Sequence, residues 1–191
     1  MRSLLRPALL LFVVLTLLTG VVYPLAVTGI AQFVFPSRAN GSLITEGGKI
    51  VGSELIGQPF TSPNYFWGRP SATSPQPYNG TASTGSNQGS TNPALVDAVK
   101  DRVAALRAAD PGNTAPVPVD LVTASGSGLD PDISLAAAYF QVPRVARERK
   151  LGVDAVKHLV DAQASATRFG FFGEPTVNVL RLNRALDKMR G

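Results

Sequence analysis

The sequence predicts an α+β protein in which one N-terminal transmembrane helix is followed by a single loop-rich extracytoplasmic domain of short strands and several helices. Three observations carry this. Between Arg6 and Arg38 the chain runs 31 residues without a charge. From Gly41 to Pro93 it is dense in Gly, Pro, Ser, Thr and Asn, the composition of loops and turns. From Asn92 onward, apolar residues recur at helical spacing.

A helix needs about 20 mostly apolar residues to cross a hydrocarbon core of about 30 Å. The run from Leu9 to Ala31 meets that length, and it lacks the polar face of a helix buried in a soluble core. Its competitor is a cleaved secretory signal, with Arg2 and Arg6 as the basic start and Gly29-Ile30-Ala31 as the cleavage site before Gln32. Signal cores are about 7 to 15 residues long. Ala8 to Val22 alone reaches that limit and Pro24 to Phe35 prolongs it, so a retained anchor is expected. A free-standing enzyme released by cleavage would instead begin at Gln32.

Pro24 deprives the helix of one backbone donor. In lipid the freed carbonyl needs a partner, either a neighbouring helix or the hydroxyls of Thr16, Thr19 and Thr28. Gly20, Thr16 and Thr28 also permit close helix approach, which makes Pro24 a candidate partner contact. Arg2 and Arg6 lie just before the span, whereas Arg38 is followed only by Lys49 at some distance. Basic residues are retained on the cytoplasmic side. The expected layout is therefore a cytoplasmic N-terminus over 1–8, a transmembrane helix over 9–31 and an extracytoplasmic domain over 32–191, in the periplasm or its equivalent.

About 155 residues follow the span, the size of one ordinary domain. The absence of cysteine excludes a disulfide framework and thiolate metal sites. The net charge of +5 and pI near 9.9 do not point to nucleic acid. Arg2 and Arg6 serve topology, Asp97, Lys100, Asp101 and Arg102 interleave, and the basic run Arg144 to Lys150 includes Glu148. That pattern is a solvated helix face.

Asn92 caps the first helix of the domain, Pro93 fits its first turn, and Leu95, Val99, Val103 and Leu106 face inward until Asp110-Pro111-Gly112 stops it. Val117 to Thr123 reads as a short strand introduced by prolines. Ala124 to Gly128 is a flexible turn. Ser134 caps a helix over Leu135 to Gln141, and Pro143 begins a separate short helix through Lys150. Asp154 caps another with Val156, Leu159 and Val160 inward, and Val179, Leu182, Leu186 and Met189 mark a last amphipathic helix.

The candidate chemistry is sparse. A Ser127 and His158 hydrolase site lacks the nucleophile elbow, because Ser125 and Leu129 stand where glycines are needed. Gly126-Ser127-Gly128 has no following Lys, and its neighbours Asp130 and Asp132 repel phosphate, so the phosphate-loop patterns fail. Asp130 and Asp132, with Asp120 or Glu174, offer oxygen ligands to a hard cation, but the calcium-loop spacing is absent and Asp-Pro-Asp also makes a turn. No metal is expected. Tyr65, Phe66 and Trp67, flanked by Arg69, form either a partner hot spot or the core of a small strand region.

Several segments in one order carry a resemblance: Gly52 to Gln58, Tyr65-Phe66-Trp67-Gly68-Arg69-Pro70-Ser71-Ala72, Gly85-Ser86-Asn87, Val117 to Pro131, Gln141 to Ala146, Gly173-Glu174-Pro175 and Val177 to Leu180. Over almost its whole length the chain closely resembles the C-subunit family of the bacterial Kdp potassium-transporting P-type ATPase. It departs at Asp132, where the family pattern Asp-Pro-His-Ile-Ser carries histidine. The resemblance implies a non-catalytic accessory subunit whose partners are a potassium-conducting subunit, a P-type ATPase subunit, a very small single-helix subunit and the lipid bilayer. The family has also been described as an ATP-binding chaperone that raises the ATPase subunit's nucleotide affinity. Ser125, Ser127, Asp130 and Asp132 are the candidates for that contact, with ATP otherwise entering only through the ATPase subunit. A domain outside the membrane meets almost no ATP, so the expectation is assembly and stabilisation of the complex, with direct nucleotide binding as the alternative.

Overall fold

The computed structural model describes residues 2–165 and 173–189. Met1, Arg190 and Gly191, at the ends of the predicted segments, lie outside the described residues, as does the side chain of Arg2 used above to orient the span. The chain divides into two units, 1–50 and 51–191.

In the first unit, α1 (Arg2–Leu17), a π-helical turn (Leu18–Val22) and α2 (Tyr23–Val34) form one continuous rod. Its segment Leu4–Val34 is long and apolar enough to cross a membrane and is not buried against the protein. The π turn sits directly ahead of Pro24. Tyr23 N–H donates to the Leu18 carbonyl five residues back. This wider turn makes room for a proline ring that would otherwise meet the carbonyl four residues earlier. Of the partners the sequence offered for the carbonyl freed by Pro24, Thr16 and Thr19 do not serve it. Their hydroxyls donate to Phe12 and Leu15, each at 2.7 Å, because a helical Thr reaches back one turn towards its own N-terminal side.

A four-residue helix, α3 (Pro36–Ala39), and the strand β1 (Leu43–Glu46) follow. Gly47 and Gly48 both take left-handed backbone (φ 55° and 79°), the requirement of a two-residue hairpin turn into β2 (Lys49–Ser53). β1 and β2 make a two-stranded sheet.

In the second unit, residues 57–92 form an extended wrap of loops. They lead to α4 (Pro93–Ala109), capped by Asn92 Oδ1 on the Ala94 amide as predicted. After a single 3-10 turn come β3 (Asp132–Ser134), α5 (Leu135–Arg149), α6 (Val153–Gln163), β4 (Thr176–Asn178) and α7 (Val179–Asp187). β3 and β4 pair antiparallel, with Ile133 opposite Val177. The core gathers Ile133, Val145, Val156, Val160, Val177, Leu182 and Leu186 from these elements, together with Phe66 from the wrap. The architecture is mixed helix and strand.

Several boundaries differ from expectation. Val117 to Thr123 is not a strand: Val119–Leu121 forms the 3-10 turn, and Asp120 turns inward to accept from the Ser134 amide (2.8 Å) and hydroxyl (3.2 Å). The helix capped by Ser134 does not end at Gln141. α5 runs through Pro143 to Arg149, and in the turn that the proline opens, Asn113 Nδ2 donates to the Phe140 carbonyl at 2.9 Å. Gly152, not Asp154, is the N-cap of α6; Asp154 lies in its first turn, where a negative charge favours the helix dipole. Met189 falls just beyond α7 but still packs on the core.

Candidate functional site

Around Ser125–Asp132, backbone groups and hydroxyls satisfy one another. Ser125 Oγ accepts from the Gly128 amide (2.9 Å) and Ser127 Oγ from the Leu129 amide (3.1 Å). The outward carbonyls are taken by the wrap. Ser71 Oγ donates to Gly128 O (2.7 Å), the Thr84 amide to Ser127 O (3.0 Å) and the Gly57 amide to Leu129 O (2.9 Å). Gly128 has φ 68°, and a Cβ there would stand 2.6 Å from Thr84 O. The turn that composition suggested is flexible is thus pinned on several sides.

Arg69 and Asp130 lock this loop to the wrap through a 3.0 Å ion pair, both side chains about two-thirds or more buried. Tyr78 OH donates to the Arg69 carbonyl at 2.5 Å. Burial, with the nearby Asp130 carboxylate, pushes the Tyr78 phenol up to about 12. Asp132 lies on β3, its carboxylate accepting from Asn178 Nδ2 (3.1 Å) and Thr176 Oγ1 (3.4 Å). Burial raises its pKa, and the Asp130 charge adds to that against the opposing Asn178 hydrogen bond. It lines a groove of about 400 Å³ with Glu54, Ser165, Thr176, Asn178 and Arg181, whose rim is the Glu54–Arg181 ion pair at 2.5 Å.

The structure therefore brings the four predicted nucleotide-contact residues, Ser125, Ser127, Asp130 and Asp132, into one short segment, with each polar group already partnered. Among the described residues no three of His, Asp and Glu converge as metal ligands. Asp120, Asp130 and Asp132 each have separate partners, and Glu174 is exposed. His158 is exposed on α6.

The aromatic segment is held between α5 and α7 as a strand is held in a sheet, with side-chain amides in place of backbone ones. Asn183 Oδ1 accepts from the Phe66 amide (2.9 Å) and its Nδ2 donates to Phe66 O (3.0 Å). Gln141 does the same for Trp67, at 2.8 and 3.1 Å. Arg144 is 2% exposed and stacks 4.3 Å over the Trp67 ring while donating to the carbonyls of Pro63 and Tyr65. Desolvation lowers its pKa to about 10, so the cation persists at neutral pH. Arg149 lies 4.6 Å over Tyr65 and pairs with Asp187 at 2.7 Å.

Among the predicted partner contacts, Phe66 has no exposed surface, Tyr65, Trp67 and Arg69 are half-buried, and Pro24 is exposed on the rod. Of the predicted span ends, Leu9 is exposed and Ala31 half-buried. Sequence reasoning missed Gln141, Arg144 and Asn183. Their signal was available: Asn183 sits four residues after Val179 and three before Leu186, a polar residue on the apolar stripe, and such a residue needs buried partners.

The sequence model of the family described as KdpC, the c chain of a K+-transporting ATPase, matches residues 5–188. The chain belongs to the KdpC family. It is 66% identical over 188 residues to the potassium-transporting ATPase KdpC subunit of Janthinobacterium sp. (strain Marseille), covering 98% of this chain and 100% of that one. Identity to the KdpC subunit of Herminiimonas arsenicoxydans is 63%, covering 98% and 99%. Against that of Methylococcus capsulatus it is 65%, covering 97% of each. As a KdpC chain it is a subunit of a potassium-transporting ATPase complex rather than the complex's catalytic component. The motifs that carried the resemblance include both halves of the Gln141–Trp67 and Arg144–Trp67 contacts, in Tyr65 to Ala72 and Gln141 to Ala146, and of the Arg69–Asp130 pair, in Tyr65 to Ala72 and Val117 to Pro131; Asn183 and Arg149 lie outside them.

Proposed function

We propose that this KdpC chain anchors in the bacterial cytoplasmic membrane through Leu4–Val34, N-terminus inside, and holds its folded domain on the outer face. There the domain stabilises the assembled complex and one extracytoplasmic arrangement of the potassium-conducting subunit, and so couples ATP hydrolysis on the P-type ATPase subunit to potassium import. A binding partner shifts such an equilibrium only by contacting one arrangement better than the other.

The observation that carries this reading is the apolar rod, none of whose span is buried in the protein. Apolar surface in water costs about 25 cal/mol per Å², so a rod of this length needs lipid and neighbouring helices to cover it. The π turn ahead of Pro24 leaves backbone polarity in mid-span that a neighbouring helix is suited to meet. The domain adds a rigid surface whose internal polar groups are spent on its own clamps. Direct ATP binding at Ser125, Ser127, Asp130 and Asp132 has less support: the Gly128 and Leu129 amides already serve Ser125 and Ser127, and Asp130 is an anion.

The test is to purify the complex with and without this chain and measure subunit recovery and potassium-stimulated ATP hydrolysis. Loss of assembly or of potassium stimulation is expected on omission. Unchanged assembly and activity would sink the proposal.

A further inference from the structure

The first unit carries an apolar surface outside the rod. On the β1–β2 hairpin, Leu43 is 50% exposed and Ile50 65% exposed, while Ile44, the neighbour of Leu43 on the opposite face, is buried. A two-residue turn at Gly47-Gly48 sets Thr45 opposite Ile50, which puts Leu43 and Ile50 on one face of the hairpin.

The chain between rod and hairpin is folded back tightly. Asn40 exchanges two hydrogen bonds with Gln32, at 3.1 and 3.2 Å, and donates to Pro36 O at 2.7 Å. Gly41 and Ser42 then adopt left-handed backbone, with Gly41 N–H on Arg38 O and Ser42 N–H on Ser37 O. Asn40 is thus returned to the level of Gln32, the last turn of the rod. Leu43 follows three residues later, within about 10 Å of it along the chain.

The rod itself sets the depth of that level. The 31 residues of Leu4–Val34 would extend about 46 Å at 1.5 Å per residue, longer than the roughly 30 Å hydrocarbon core. The headgroup layer adds about 6 Å on each side. Gln32 therefore falls in the headgroup layer, and the fold-back keeps the hairpin there. Phe33 and Phe35, 91% and 55% exposed, continue the apolar surface between rod and hairpin. Arg38 and Lys49, both exposed, neighbour this surface in the chain, and side chains of that length keep their charges in water.

We infer that the β1–β2 hairpin is an interfacial lipid anchor, laying Leu43 and Ile50 into the headgroup–acyl boundary of the outer leaflet. This rests on the reading of Leu4–Val34 as a membrane span. The occupant is lipid, because the exposed apolar residues follow directly on a rod that lipid covers, and the Asn40–Gln32 bonds hold the hairpin beside its end. The hairpin fixes the tilt and rotation of the rod relative to the membrane, as a second foothold beside the span.

The chain has no cysteine, so single cysteines report without background. Leu43→Cys, Ile50→Cys, Phe12→Cys and Val119→Cys are each given a nitroxide in the full-length chain and placed in vesicles of phosphatidylcholine and phosphatidylglycerol. Collision with oxygen is compared with collision with a water-soluble nickel chelate. Labels at 43 and 50 should favour oxygen, at shallower depth than the label at 12, while Val119, 69% exposed on the domain, should favour the chelate. Water-like accessibility at both 43 and 50 with a deep label at 12 would overturn the anchor alone. A label at 12 that is also aqueous would overturn the membrane span beneath it. Labels at 43 and 50 that become shielded from both reagents only in the assembled complex would assign the face to a protein partner and overturn the lipid assignment.

Discussion

Arg144 shows how one residue can set the behaviour of a whole segment. It is a fully buried cation whose hydrogen bonds among the described residues go to the carbonyls of Pro63 and Tyr65 and to Gln141 Oε1 at 2.7 Å, with the face of Trp67 against it and the charges of Asp110 and Glu148 nearby. Arg144→Met keeps the volume but strands those acceptors, and about 3 kcal/mol of stability should be lost. Trp67 is the only tryptophan, so its fluorescence during denaturant unfolding of the purified chain reads the clamp directly; an unchanged midpoint would contradict the clamp. Asp132 predicts a pH effect of opposite kind. Its folded pKa lies above the ordinary carboxylate value, so the native state holds its proton longer than the unfolded state does. Its contribution is therefore most favourable below the ordinary value and falls as pH rises through the folded one. Asp132→Asn keeps a carbonyl for Asn178 and removes the charge, so its stability relative to the parent should rise with pH across that window; a flat difference would refute the assignment. The sequence marked Ser125, Ser127, Asp130 and Asp132 as candidates for a nucleotide contact. It could not show that their partners were Gly128, Leu129, Arg69 and Asn178, because Arg69 and Asn178 lie 61 and 46 residues away in the chain and the two local bonds depend on the left-handed turn at Gly128.

Helix existence was legible wherever apolar residues recur over three turns, as in α4 and α7, because periodicity over that length is a strong signal. The break expected at Pro143 was not borne out. A proline removes one amide and crowds one carbonyl, here that of Tyr139 four residues back, but α5 is buried along much of its length, so packing carries it through the break, and Asn113 adds a bond to the neighbouring Phe140 carbonyl. Asn113→Ala should cost about 1–2 kcal/mol. Thermal unfolding of this variant measures the cost, and an unchanged midpoint would show that the Phe140 carbonyl does not depend on Asn113. β3 and β4 span three residues each and left no periodic trace. Their pairing exists only because α5, α6 and α7 press Ile133 and Val177 into one core.

For the whole molecule the governing observation is the exposed apolar rod, and the proposal to test at this scale is that the domain lies outside the membrane. A periplasm-dependent reporter fused after Gly191 should be active and a cytoplasm-dependent one silent; the reverse would overturn the orientation and restore the nucleotide reading. The N-terminus of the mature protein should lie ahead of the span rather than at Gln32, which N-terminal sequencing checks. The sequence by itself determined the rod, the family, the mixed helix and strand class and the absence of disulfides. These depend on composition, local periodicity and ordered motifs, which need no knowledge of what touches what. Tertiary structure decided that Phe66 is core, that Arg144 and two amide side chains take the place of a neighbouring strand, that Gly128 sits in a pinned turn and that Leu43 and Ile50 share an open face. Those outcomes join residues distant in the chain, and their energies arise only when folding removes water from between them.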